Sequence, residues 1–398
     1  MRRFVVFAAI ACLCVGGVLS RAGSGGSTAS LALAADDASG GEKRVSVLVH
    51  LEAGANRGPL RRFARERGGR VRHEYALLPR VVNLRDIPES SLDELERVPG
   101  VMRVEPDAEV KLHLNQSAPL IHALQPEIAA AGFTADGSGV RVCVVDTGVN
   151  PNHVMFPGRI DLLASYDVVN DDPDPDDVFG HGSHVMGIAI GGTDVYADYG
   201  DPGCSEEQIP GVAPLATGIA QKVFSDAGTA TLSDVVAGIQ NCTDPSLPNG
   251  PADVVNLSLG GGAFSGTCDG DTLAAAANAA VDAGAVVVAS SGNEGRSNAL
   301  ASPACGSKVI SAGAVYDAVY PTCDFAVDSF TWCLEGNFFF CTKTCTDDQP
   351  ATDELACFSN RSANLDVVAP GCVIWSAEPS ADNSIAPNCG TSMAAPHV

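Results

Sequence analysis

The sequence predicts an α/β protein, a doubly wound and mostly parallel sheet preceded by a small α+β ferredoxin-like domain. Three observations carry this. From about residue 140 onward, short apolar runs alternate with segments of helical periodicity, as in parallel strands buried on both faces. Residues 43–114 instead read in the order β-α-β-β-α-β. Composition changes at the same boundary. Residues 42–114 hold 14 Lys and Arg against 12 Asp and Glu, residues 115–398 hold 7 against 34, and twelve of the 14 cysteines lie at or after Cys143.

Taken in order, the chain opens with Arg2 and Arg3 and then a 16-residue apolar or small run, Phe4 to Leu19. A membrane span needs roughly 20 such residues. Residues 1–34 therefore read as an export signal, with Ala32-Leu33-Ala34 or Val18-Leu19-Ser20 as the cleavage point. Residues 35–42 end a Gly/Ser/Ala-rich linker. In the small domain, Val45–Leu51 reads as a strand and Pro59–Gly69 as a short helix closed by glycines. Val71–Leu84 reads as one or two strands, and Val101–Leu112 as another. Ser91 and Glu94 have capping-box spacing, with Leu92, Leu95 and Val98 following at helical spacing. After a linker near 115–120 the larger domain runs to residue 398. Its predicted strands are Val140–Val145, Val254–Leu259, Ala285–Ala289 and Val309–Val315. Its helices are marked by Leu232, Val235, Val236 and Ile239, and by Leu273–Asp282 before Gly284. Ligands of such sheets bind beyond the carboxyl ends of the strands.

A hydrophobic content of 45% with 18% charged residues is that of a globular protein. The net charge of −24 argues against nucleic acid and anionic lipid as partners. Cysteines behind an export signal favour disulfides in an oxidising compartment. Cys143, inside an apolar run, is a candidate buried free thiol.

Three segments place reactive side chains at strand ends or helix starts. Val144-Val145-Asp146-Thr147-Gly148 ends an apolar run on a carboxylate. In Gly180-His181-Gly182-Ser183-His184, His181 starts a helix and His184 reads as a packed helix residue. Two histidines three apart could also ligate a metal, but no HExxH glutamate accompanies them. In Gly390-Thr391-Ser392-Met393-Ala394-Ala395-Pro396-His397, Ser392 follows a tight turn at the start of an Ala-rich helix. A serine there is commonly a cap. Free N–H groups at the same place also favour a developing negative charge.

Together these strings resemble, in the order Asp, His, Ser, the three active-site blocks of the subtilisin-like serine proteases, the subtilases. The resemblance implies a catalytic triad of Asp146, His181 and Ser392. It implies an oxyanion hole from Asn293 and the Ser392 N–H, with Ser290-Ser291-Gly292-Asn293 resembling the block that carries that asparagine. Ser258-Leu259-Gly260, with Ser290, Ser291 and Gly292, would bind extended polypeptide substrates. Residues 43–114 would be an inhibitory propeptide, an intramolecular inhibitor processed near His113–Ser117. The activity expected is secreted, monomeric serine endopeptidase, working through an acyl-enzyme with no catalytic cofactor. Members often bind structural calcium. Asp171–Asp177 places five carboxylates in seven residues, so Asp172, Asp174 and Asp176 are candidate calcium ligands.

The sequence departs from the family in two places. Residues 316–358 carry Cys323, Cys333, Cys341, Cys345 and Cys357 and read as a disulfide-stapled insertion, with a zinc knuckle as the rival reading. The sequence stops at Val398, six residues past Ser392, where the family's serine-bearing helix continues. The expectation from this is a partial, C-terminally truncated sequence. The alternative is an inactive chain acting only as a binding or inhibitory module. A lipase or esterase is disfavoured, because no G-x-S-x-G elbow occurs.

Overall fold

The computed structural model describes residues 43–107, 109–112, 136–192, 196–197, 207–208, 210–317, 323–328 and 342–398. The predicted export signal, the linker, the processing region His113–Ser117 and much of the insertion lie outside the described residues.

The small domain has the predicted order. Strands Arg44–Leu51, Arg70–Glu74, Val81–Pro88 and Val101–Pro106 form one antiparallel sheet, in the order Arg70–Glu74, Val81–Pro88, Arg44–Leu51, Val101–Pro106. Strand alternation makes the sheet two-sided. Val47, Val49 and Leu51 pack under the helices Gly58–Glu66 and Leu92–Leu95 through Leu60, Ala64 and Leu95. Leu48, one residue out of phase, joins the core of the larger domain beside Val235 and Leu273. The capping box at Ser91 does not form, since its side chain makes no cap hydrogen bond. Ser91 already belongs to a 3₁₀ turn, Glu89–Ser91, and is not in the extended conformation a capping side chain needs.

The larger domain is the predicted parallel sheet. Its seven strands run in the order Val367–Cys372, Ile310–Tyr316, Val286–Ser290, Val254–Leu257, Arg141–Asp146, Thr217–Lys222, Tyr166–Asp167, all parallel. Helices Leu232–Cys242 and Thr272–Asp282 are capped by the Thr231 and Asp271 side chains and pack on one face. Helix His181–Ile190 packs on the other, with Val142, Val144 and Met393.

Two expectations are corrected. The predicted Val254–Leu259 strand is two strands. Val254–Leu257 stays in the parallel sheet, while Leu259–Phe264 bends out to pair antiparallel with Leu300–Ser302 and with Glu109–Leu112. Cys143 is not a free thiol. It is bonded to Cys242, tying strand Arg141–Asp146 to a covering helix 99 residues away. Further disulfides join Cys268 to Cys305 and, in the insertion, Cys345 to Cys357. Among the described residues no helix is long and apolar enough to cross a membrane.

Candidate active site

Asp146 is the last residue of strand Arg141–Asp146, and its carboxylate is fully buried. Its Oδ1 accepts the Thr147 N–H at 2.7 Å and lies 2.7 Å from Nδ1 of the equally buried His181. The strand end and the helix start are locked to each other by neighbours that sequence inspection missed. Thr147 Oγ1 accepts the Gly182 N–H at 2.8 Å and donates to Asp177 Oδ1 at 2.9 Å. Asp177 also accepts the Gly180 and Ser183 N–H groups, each at 2.8 Å. An acidic residue just ahead of a helix is the signal that marked it. Gly182 is required by contact, because a Cβ there would lie 2.2 Å from the Gly148 carbonyl oxygen.

Ser392 lies in the short helix Thr391–Ala394, which packs against helix His181–Ile190. Its Oγ donates to the Ser258 carbonyl at 3.0 Å, and Ser258 Oγ donates back to the Ser392 carbonyl at 2.7 Å. The serine is thus brought to the site but not hydrogen-bonded to the imidazole. His181 Nε2 is buried with no hydrogen-bond partner. Catalytic hydrogen bonds are commonly loose until substrate binds.

Asn293 is tied to Thr391, the residue before Ser392. Its Oδ1 accepts both the N–H and the Oγ1–H of Thr391, each at 2.9 Å. Thr391 Oγ1 in turn accepts the Gly292 N–H at 3.1 Å. This fixes the amide orientation and leaves Asn293 Nδ2 buried as a donor without an acceptor. The Ser392 N–H is in the first turn of a helix, where N–H groups lack intrahelical partners.

The Ser258–Gly260 edge is occupied by the chain itself. Leu259 pairs with Leu112 and Gly260 with Lys111, while on the other side Ala230 pairs with Val110 and Thr231 with Glu109. A strand from the small domain is therefore clamped between two edges of the large one. The remaining candidate binding residues turn inward. Ser290 Oγ donates to the Leu259 carbonyl at 3.5 Å and Ser291 Oγ to the Asn360 carbonyl at 3.0 Å.

His184 is buried, with Nε2 3.0 Å from the Ala386 carbonyl, and burial reinforced by nearby His181 pushes its pKa down to about 3. It is a neutral packed residue. The acidic loop is folded on its own backbone. Asp172 Oδ1 accepts the Asp174 N–H at 2.9 Å and Asp174 Oδ1 the Asp176 N–H at 3.3 Å. Among the described residues no three His, Cys, Asp or Glu side chains group to hold a metal ion.

Fold and site together define a class, a doubly wound α/β protein with a buried Asp146–His181 pair at the end of a parallel strand. Within that class, residues 137–398 match the subtilase family, and the chain belongs to it. It is 34% identical over 265 residues to the thermophilic serine proteinase of Bacillus sp. (strain AK1), covering 67% of this chain and 51% of that one. To thermitase of Thermoactinomyces vulgaris it is 32% identical over 264 residues, covering 66% and 74%. This chain thus spans about half the length of the Bacillus relative. The crystal structure of fervidolysin from Fervidobacterium pennivorans superposes with a TM-score of 0.61 at 22% identity, covering 90% of this chain and 54% of that one, a likeness of fold.

Proposed function

We propose that this protein is a secreted serine endopeptidase, made as a self-inhibited precursor, that cuts extended polypeptides through an acyl-enzyme. The observation that carries the reading is the buried Asp146–His181 contact at 2.7 Å, with His181 Nε2 left without a hydrogen-bond partner and Ser392 at the start of a helix that packs against the His181 helix.

A serine hydroxyl is a poor nucleophile and needs an adjacent base. His181 Nε2 takes the Ser392 proton as Oγ attacks the scissile carbonyl, and Asp146 holds the tautomer and stabilises the imidazolium. Asn293 Nδ2 and the Ser392 N–H receive the oxyanion. The imidazolium gives its proton to the leaving amine, and water then releases the acyl group. Substrate adds as a strand beside Ser258–Gly260, so main-chain pairing supplies affinity.

In the precursor Glu109–Leu112 holds that strand position, which supports residues 43–114 as an intramolecular inhibitor. Secretion is supported by the apolar amino-terminal run. The decisive experiment is labelling with a fluorophosphonate after residues 43–114 are removed. Ser392 should be tagged and the Ser392→Ala chain should not. Equal labelling of both would refute the proteolytic reading.

A further inference from the structure

The small domain carries a basic surface that neither catalysis nor docking uses. Arg57, Arg61, Arg62, Arg65, Arg67 and Arg70 fall within fourteen residues whose only carboxylate is Glu66. Attraction to the acidic large domain does not account for them. The face of the sheet turned to that domain brings its own cations. Arg85 pairs with Asp234 at 3.0 Å, and Arg72 donates to the Val168 carbonyl at 3.0 Å. Helix Gly58–Glu66 covers the opposite face, burying Leu60 and Ala64 and leaving Arg61, Arg62 and Arg65 exposed.

Local carboxylates neutralise only part of this charge. Glu74 serves both Arg57, at 3.0 Å, and Arg61, at 2.8 Å, and Arg70 has Asp86 at 3.5 Å. Among the described residues Arg62 and Arg65 make no ion pair. Arg61, Arg65 and Arg70 also line a concavity of about 400 Å³ with Ala64, Gly69 and Val71, and Glu74, bonded to Arg61, is the one carboxylate in its lining. Guanidinium forks converging on a concavity suit oxyanions.

We infer that this face docks an acidic polysaccharide, its sulfate or carboxylate groups received by Arg61, Arg65 and Arg70, with Arg62 alongside. Two features favour that class. A single-stranded nucleic acid uses aromatic stacking platforms, and Phe63 is half-buried with the Arg67 guanidinium over its ring. A membrane-surface helix exposes large apolar side chains, and helix Gly58–Glu66 exposes none. The excess of 34 acidic over 7 basic residues in 115–398 repels the same polymer. Retention therefore belongs to the chain that still carries its small domain.

The test uses the full chain with Ser392→Ala, which keeps the small domain attached, on immobilised heparin in a salt gradient. The chain is retained, while R62Q/R65Q/R70Q elutes early and its slope of log affinity against log salt falls by about 2. A charge-matched variant, R103Q/K308Q/R361Q, elutes as the parent does. Soluble heparin also shields the bonds after Arg62 and Arg65 from trypsin in the unaltered surface, a readout independent of how any variant folds. Any of three results overturns the inference: no retention at low salt together with no shielding, equal loss in the charge-matched variant, or tighter binding to duplex DNA or phosphatidylserine vesicles than to heparin.

Discussion

At Asn293 the proposed oxyanion role is supported by hydrogen-bond accounting. Both acceptor sites of its carbonyl are filled by Thr391, so its NH₂ points where no protein group answers. An unanswered buried donor costs free energy unless something binds there. Asn293→Ala should lower kcat by about 10²–10³ with little change in KM, the magnitude known for the oxyanion donor of subtilisin itself, a member of this family. Steady-state kinetics on a peptide substrate decide it, and a change confined to KM would remove Asn293 from the oxyanion hole. Thr391→Val should reproduce part of the loss by freeing the amide to rotate. Two further residues set a pH dependence. Burial pushes the pKa of His184 down to about 3 and that of His397 to about 4. Both lie below the unfolded value of about 6.5, so the unfolded chain takes up these protons first as pH falls. Their stabilising effect is complete above about pH 6.5 and declines by about 1.4 kcal/mol per pH unit per group down towards pH 4. The urea midpoint should fall steeply between pH 6.5 and 4.5. A flat midpoint over that range would contradict the lowered values of both rings.

Among the elements, the strands and long helices were legible because their apolar periodicity is continuous. Leu232, Val235, Val236 and Ile239 all became buried or half-buried faces of one helix. What was not legible depends on contacts distant in sequence. Ser258 looks like the interior of a strand, yet the chain bends there, because Leu259–Phe264 finds its partners at Glu109–Leu112 and Leu300–Ser302 rather than in the parallel sheet. Cys143 looks like any apolar strand residue, since nothing local announces a partner 99 residues away in Cys242. The candidate triad residues were visible as three strings, whereas the supporting roles of Thr147, Thr391 and Asp177 were not, although each lies in or beside a quoted string, because their partners are distant in sequence. The Cys143–Cys242 bond closes a loop long enough to restrict the unfolded chain by about 4–5 kcal/mol in the chain-entropy account. The double variant Cys143→Ala/Cys242→Ala should therefore lose about 3–5 kcal/mol of unfolding free energy. A denaturant series under non-reducing conditions measures this, and a loss below about 1 kcal/mol would mean the strand and helix are held by packing alone.

On the scale of the whole molecule, the two domains are joined by one buried polar cluster as well as by the clamped strand. Asp234 receives Arg85 at 3.0 Å and His73 at 3.3 Å, both from the small domain. Asp107 of the connecting segment accepts the Ser233 N–H at 2.8 Å and its hydroxyl at 2.6 Å, at the start of helix Leu232–Cys242. Burial would raise the Asp234 carboxyl, but hydrogen bonds from His73 and Thr231 and the Arg85 guanidinium hold it below its usual range. Removing one member of such a pair leaves a buried charge behind, which costs more than the pair itself contributes, about 3–5 kcal/mol. Arg85→Ala should therefore loosen the small domain while leaving the core of the larger one intact. The expected signs are faster trypsin cleavage of the segment after Pro106 and a shorter lag before peptide hydrolysis begins. Asp234→Asn should be milder, because the charge it leaves unpaired, on Arg85, is 26% exposed, whereas the Asp234 carboxylate left by Arg85→Ala is 7% exposed. If Arg85→Ala matched the parent chain in both lag and cleavage rate, the clamped Glu109–Leu112 strand alone would have to hold the inhibitor in place.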